Sequence, residues 1–269
     1  MINTENSNSL YVFFDESQLR NNKLWIMGAV SVESLFYESG EVTELTHALR
    51  KGDMKLHFTD YRASSYDNYS KALKIFLSKM YYVNFNVITF DKKFYAHHPL
   101  ISSSYNNLIN EKIPERVIYG SIRDRSKLYK ENIKIFIEES SEYKQLELDK
   151  KLKRQLNAQS LYRNDNFKVH KAGLYPKGKE IGIEMCDMLI GILGIIINNA
   201  TMFKEDGSIN KTLLSKKKFI YEHLEILKPF FLEMKYFELV GQNQITKRVF
   251  ASYINKFQLF YEIEVNKMN

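Results

Sequence analysis

A single cysteine, Cys186, in 269 residues excludes an internal disulfide and any cysteine-rich zinc module. Four prolines and eleven glycines are too few for a collagen-like or low-complexity chain, and no internal repeat or linker is visible. The sequence has no Gly-rich phosphate loop, no Cys-x-x-Cys pair and no Ser-centred nucleophile elbow, so nucleotide kinases, zinc ribbons and serine hydrolases lose support. The segment MINTENSNSL has neither a basic start nor an apolar stretch, so no secretory signal is expected and a reducing cytoplasm is the default location. The most apolar segment, residues 181–197, contains Glu184 and Asp187. It therefore falls short of the ~18 to 20 uninterrupted apolar residues of a membrane span and is expected to be a core helix, with no membrane partner.

What remains is a globular composition, 44% hydrophobic and 26% charged. A chain of this length buries about three quarters of its unfolded surface, so a metal is not needed to hold it together and would serve chemistry instead. Thirty-nine Lys and Arg against 32 Asp and Glu leave +7 at neutral pH, which favours polyanion contact. The alternative is a soluble protein that happens to be basic.

Period-2 and β-branched runs predict strands over residues 10–14, 24–32, 82–90 and 133–137, with short ones over 55–58 and 167–170. The brief polar break at 18–23 makes the first two an antiparallel hairpin. Helical spacing covers 34–50, stopped by Gly52-Asp53, then 66–80, and 104–119 with Pro114 as an interruption. Residues 143–155 read as a solvent-facing charged helix, and 181–199 as the most apolar one. Residues 211–267 read as two or three amphipathic helices divided at Pro229 and Gly241. The pattern predicts an α/β core over residues 8–200 and a helical C-terminal extension over 201–269 packed on it.

Acids recur where apolar elements end: Asp15-Glu16 and Glu138-Glu139 after strands, and Glu184 with Asp187 on one side of the apolar helix. Clustered ionised carboxylates repel one another and lose hydration, so a buried group of them requires cations or protonation. Mg²⁺ or Mn²⁺ is the economical solution, because both favour oxygen ligands and can activate water in phosphodiester hydrolysis. Gly191 lies near the same helix face and would let a strand backbone approach. Each acid also has a plain alternative: a solvated stripe for Glu184 and Asp187, a turn carboxylate for Asp15, a loop or helix cap for Glu138.

The segments YVFFDES (residues 11–17), LWIMGAVSV, IFIEES and GIEMCDMLIG (residues 182–191) resemble the domain-of-unknown-function 3800 family. In that family a strand ending in Asp-Glu-Ser is followed much later by a helix with an Ala-Asp-Leu-like centre. The resemblance runs from about residue 10 to residue 194. It implies an RNase H-like mixed sheet flanked by helices, with an acid cluster suited to nucleic-acid cleavage. It makes Asp15 the first-strand ligand, Glu138 the acid after the later strand and Asp187 the helical ligand, with Glu16 and Glu184 in support, and suggests a setting in phage defence or a toxin-like system. Two departures stand out. Lys55 occupies a place where many members carry Glu, with Asp53 and Asp60 nearby, and Glu138-Glu139 lacks the preceding Asp that is more usual. Either Asp53 or Asp60 compensates for Lys55, or the site holds fewer metals, or it does not hydrolyse.

His57, between Leu56 and Phe58, is a candidate to orient water or bind metal, against a structural role. His97-His98 lacks cysteine partners for zinc, and Cys186 is expected in the core. Arg163, Lys168, Lys171, Lys177 and Lys179, interleaved with Tyr162, Phe167 and Tyr175, suit phosphate contact and base stacking, against a plain basic loop. Residues 216–218, three lysines, read as a solvated face. The leading expectation is a metal-dependent nuclease acting on RNA or DNA. The alternatives are a non-catalytic RNase H-like nucleic-acid-binding module, and an oligomeric or protein-partner subunit that uses Phe230, Phe231, Tyr236 and Phe237 of the C-terminal helices.

Overall fold

A computed structural model describes residues 9–18, 24–91, 108–126, 131–240 and 244–268. Its strands are β1 (Ser9–Gln18), β2 (Leu24–Glu33), β3 (Val83–Asp91), β4 (Glu131–Glu138), β5 (Phe167–Tyr175), β6 (Lys235–Val240) and β7 (Gln244–Arg248). They form one mixed sheet in the order β5-β4-β1-β2-β3-β6-β7. β1, β2 and β3 are antiparallel in succession; β4 lies parallel to β1 and β5 to β4, β6 parallel to β3, and β7 turns back on β6.

The helices in chain order are α1 (Ser34–Tyr37), α2 (Gly40–Lys51), α3 (Tyr66–Ser78), α4 (Ile113–Ser126) and α5 (Ser141–Leu146), then α6 (Leu148–Arg163), α7 (Ile181–Asn198), α8 (Lys211–Glu222), α9 (Leu224–Glu233) and α10 (Ala251–Asn266). An α/β class is therefore present. The pleat sorts the core into two layers. Leu10, Val12 and Phe14 join Ile133, Ile135 and Ile137 beneath α4 and α6, while Tyr11 and Phe13 face α7 on the other side. Gly182 lets α7 press on the sheet, since a Cβ there would come within 2.5 Å of the Phe13 ring. α7 is the one helix among the described residues long and apolar enough to cross a membrane, and 78% of it is buried against the rest of the chain.

Several sequence expectations need correction. β1 does not stop at residue 14 but continues to Gln18, because β2 pairs with it as far as Gln18 opposite Trp25. Residues 55–58 form no strand; Met54, Leu56 and Phe58 alternate inward because they pack on the helical layer, not on a sheet neighbour. Gly191 accordingly accommodates the Phe58 ring, not a strand backbone. Residues 143–155 are not a solvent-facing helix. α5 and α6 meet at Glu147, whose φ is 49°, and α6 buries Leu148, Leu152, Leu156 and Ser160 at four-residue spacing. β5 runs five residues past His170, and the irregularity in its pairing between Ile133 and Lys134 breaks the alternation a sequence reading relies on.

The C-terminal region is not purely helical, since β6 and β7 extend the sheet. Pro229 does not divide it but lies inside α9, where burial of Leu227, Phe230 and Phe231 outweighs one lost backbone bond. Pro114 lies where a π-helical turn over Leu108–Lys112 runs directly into α4, so the chain stays helical through it and the expected interruption takes the form of a widened turn on the side of the missing N–H. Gly241, His97-His98 and residues 104–107 lie outside the described residues. Lys217 is fully buried on α8 and paired with Glu264, so 216–218 is not a uniformly solvated face. Phe230, Phe231 and Tyr236 belong to the core, and Phe237 is partly buried against it.

Candidate active site

The last paired positions of the parallel strands β1 and β4 are Phe14 and Ile137, and the next residue on each is a carboxylate, Asp15 and Glu138. Asp15 shares the pleat parity of Tyr11 and Phe13, and Glu138 that of Phe136, so both face α7. Asp187, in the second turn of α7, closes the group. These three acids line a cleft of about 210 Å³ together with Glu16, His57, Glu139, Ser140, Tyr143 and Lys177.

Asp15 is 4% exposed. Its Oδ1 accepts the Glu16 N–H at 2.8 Å, while Oδ2 has no hydrogen-bond partner among the described residues. Burial first, then the charges of Glu138 and Asp187, push the Asp15 carboxyl well above the usual carboxylate range. The cluster is short of positive charge. Asp187 Oδ2 accepts the Phe58 N–H at 2.7 Å and lies 3.1 Å from His57 Nδ1. That hydrogen bond raises the His57 pKa against the opposing effect of burial. His57 Nε2 is 3.0 Å from Lys177 Nζ, which also stands 3.5 Å from Glu138 Oε1. With Lys177 donating to Nε2, the ring proton belongs on Nδ1, facing Asp187. Tyr69 Oη donates to the His57 carbonyl at 2.7 Å and fixes the irregular segment from beneath.

The structure thus brings Asp15, Glu138, Asp187, Glu16, His57 and Lys177 to one cleft. Glu16 stands on the other pleat, where its charge adds to burial in raising the Tyr143 hydroxyl pKa. Glu184 does not line that cleft. It is buried, and burial raises its pKa, while its Oε1 accepts the Gly178 N–H at 2.8 Å. It therefore anchors the turn that carries Lys177. The predicted basic set does not act as one loop: Lys168 and Lys171 are exposed on β5, Arg163 lies over the Tyr119 ring, and Lys179 is held through its carbonyl by Arg50. Asp53 is exposed, and Lys55 and Asp60 line a neighbouring cleft, so none of these three lines the acidic one. Cys186 is buried and its Sγ donates to the Gly28 carbonyl.

Sequence reasoning missed Tyr69, the Phe58 N–H, Ser140 and Tyr143. Ser140 had a readable signal, because Ser-Ser-Glu after an apolar strand is a helix start, and its Oγ does accept the Tyr143 N–H at 3.1 Å. The other three contribute through backbone or core positions that no spacing rule marks.

Among the described residues no three His, Cys, Asp or Glu side chains stand in preset metal-ligating geometry. Asp187 is turned to His57 and Phe58, and Lys177 stands beside Glu138. Asp15, Glu138 and Asp187 nonetheless line one cleft and a buried Asp15 oxygen lacks a donor, which is the oxygen-donor chemistry that a divalent cation of the magnesium type takes. No protein-family model matches the chain, and no curated protein matches it by sequence.

Proposed function

We propose that the protein is an RNase H-like, metal-dependent nuclease working in the cytoplasm on RNA or DNA, in keeping with the family resemblance. The observation that carries this reading is the buried, donorless Asp15 Oδ2 beside Glu138 and Asp187 at the ends of adjacent parallel strands. Asp15, Glu138 and Asp187 would hold Mg²⁺ or Mn²⁺, which when bound supplies an activated water and charge neutralisation at the phosphodiester. The chain's own residues do the rest. Asp187 fixes the His57 ring through the Nδ1 proton, Lys177 turns from Nε2 to contact phosphate, and the freed Nε2 accepts from a water or takes up its proton. Glu184 positions Lys177 by holding Gly178.

The test is Mn²⁺-dependent cleavage of labelled single- and double-stranded oligonucleotides, absent in Asp15→Ala and Asp187→Ala proteins whose circular dichroism is unchanged. Persistence of cleavage in both variants overturns the reading. A second reading, a binding module without turnover, is favoured by one observation: Lys177 already places a cation beside Glu138. It calls for salt-sensitive association unaffected by those substitutions.

A further inference from the structure

Next to the acidic cleft lies a larger one of about 540 Å³, and the two share His57 and Lys177 as a common wall. Its lining includes the buried side chains of Leu49, Met54, Leu56 and Tyr69, carried by α2, the irregular segment after it and α3, together with the buried Glu184, which is held by the Gly178 N–H, and the exposed Asp60. At its mouth stand the exposed side chains of Lys55, Arg62 and Ser64. Among the described residues neither Lys55 nor Arg62 enters an ion pair. A largely apolar interior whose exposed rim carries Lys55, Arg62 and Lys177 against the single carboxylate of Asp60, opening beside a carboxylate cluster, matches one nucleotide of a polynucleotide: an aromatic base inside and flanking phosphates outside.

We propose that this cleft receives an unstacked base of single-stranded nucleic acid, with Lys55 and Arg62 on the flanking phosphates and the adjacent phosphodiester over Asp15, Glu138 and Asp187. The assignment rests on the nuclease reading for its last element only. A base in a duplex is stacked and paired, and entering a walled cleft requires it to leave both neighbours, which single strands do at the smallest cost. Lys55 then is not a lost metal ligand. It is a phosphate contact on the substrate side of His57.

The experiment measures binding of the full-length, metal-free protein to short labelled oligonucleotides by fluorescence anisotropy, with single strands and duplexes of DNA and of RNA at fixed salt. Single strands should bind about tenfold more tightly than duplexes or better, and Lys55→Ala with Arg62→Ala should weaken binding about tenfold and flatten its salt dependence. Both residues are exposed, so thermal unfolding of the variant should match the wild type and exclude misfolding as the cause. Moving one abasic residue along the strand should reveal one position where affinity falls by roughly five- to a hundredfold, the scale of one lost base stack. Equal affinity for duplex, a flat abasic series, or no binding to any oligonucleotide overturns the proposal. Absence of Mn²⁺-dependent cleavage with the abasic position intact removes the nuclease reading and leaves the cleft assignment standing. Cleavage with a flat abasic series does the reverse. Comparing the DNA and RNA arms assigns the sugar.

Discussion

His57 Nδ1 lies 3.1 Å from Asp187 Oδ2, and the same oxygen accepts the Phe58 N–H at 2.7 Å. One helical carboxylate thus clamps an irregular segment by a side chain and by the backbone. Removing the imidazole leaves the backbone half of the clamp, so His57→Ala should cost about 1–3 kcal/mol and leave the protein folded. If His57 handles a proton or a water, cleavage in Mn²⁺ should fall about a hundredfold or more. Steady-state kcat beside the thermal midpoint separates the two. An unchanged kcat makes the imidazole a structural residue.

Asp15 sits where folding is opposed by electrostatic repulsion. Burial and the charges of Glu138 and Asp187 disfavour its ionised form. Asp15→Asn should therefore abolish cleavage yet raise the thermal midpoint of the metal-free protein, by about 2–4 °C for each kcal/mol of repulsion removed. Mn²⁺ should raise the midpoint of the wild type and move that of the variant much less. Differential scanning calorimetry with and without Mn²⁺ reads both. A variant less stable than the wild type without metal contradicts the repulsive cluster.

The acids at Asp15, Glu138 and Asp187 were legible because each interrupts an apolar run, and apolar runs end where strands or helices deliver residues to a sheet edge or groove. What was not legible had a physical cause in each case. Residues 54–58 alternate like a strand, yet the partner that buries Leu56 and Phe58 is a helical layer remote in sequence. β5 has its period broken by a pairing irregularity, and β6 and β7 are short strands inside a largely helical region. The role of Glu184 was missed because its partner is a backbone N–H, at Gly178, and not a side chain. Lys217 looked like part of a solvated triplet because its counter-charge, Glu264, is 47 residues away.

His223 gives the protein a pH dependence independent of the acid cluster. It is 3% exposed, with its Nδ1 donating to the Phe219 carbonyl at 2.8 Å and its Nε2 accepting from Ser70 Oγ at 2.8 Å. Burial first, with help from the Lys74 charge and against that of Glu222 and the Phe219 carbonyl, lowers its pKa. The unfolded chain takes up a proton near pH ~6.5 that the folded chain resists. This contribution to stability is complete above that pH and is lost as pH falls toward the folded pKa, at a slope of at most about 1.4 kcal/mol per pH unit. Urea midpoints measured across that window should fall for the wild type and fall less for His223→Gln.

The buried pair of Lys217 and Glu264 tests how the C-terminal helices are held. Lys217 Nζ lies 3.0 Å from Glu264 Oε2, with both side chains almost wholly buried. Glu264 Oε1 accepts from Thr201 Oγ1 at 2.5 Å and from the Met202 N–H at 2.8 Å. Burial pushes the Glu264 carboxyl up, but the Thr201, Met202 and Lys217 donors outweigh it and leave the pKa below the ordinary value. Lys217→Ala strands a buried carboxylate and should cost about 3–5 kcal/mol. Lys217→Met combined with Glu264→Gln removes both charges while the new side-chain amide keeps an acceptor oxygen for Thr201 and Met202, so the double variant should lie within about 2 kcal/mol of the wild type. Chemical denaturation of these proteins, with Lys217→Met and Glu264→Gln each alone to close the cycle, measures the coupling. Neither residue lines the acidic cleft, so Mn²⁺-dependent cleavage below the unfolding range should be unchanged. Equal losses in single and double variants would show that the pair contributes through packing, not charge.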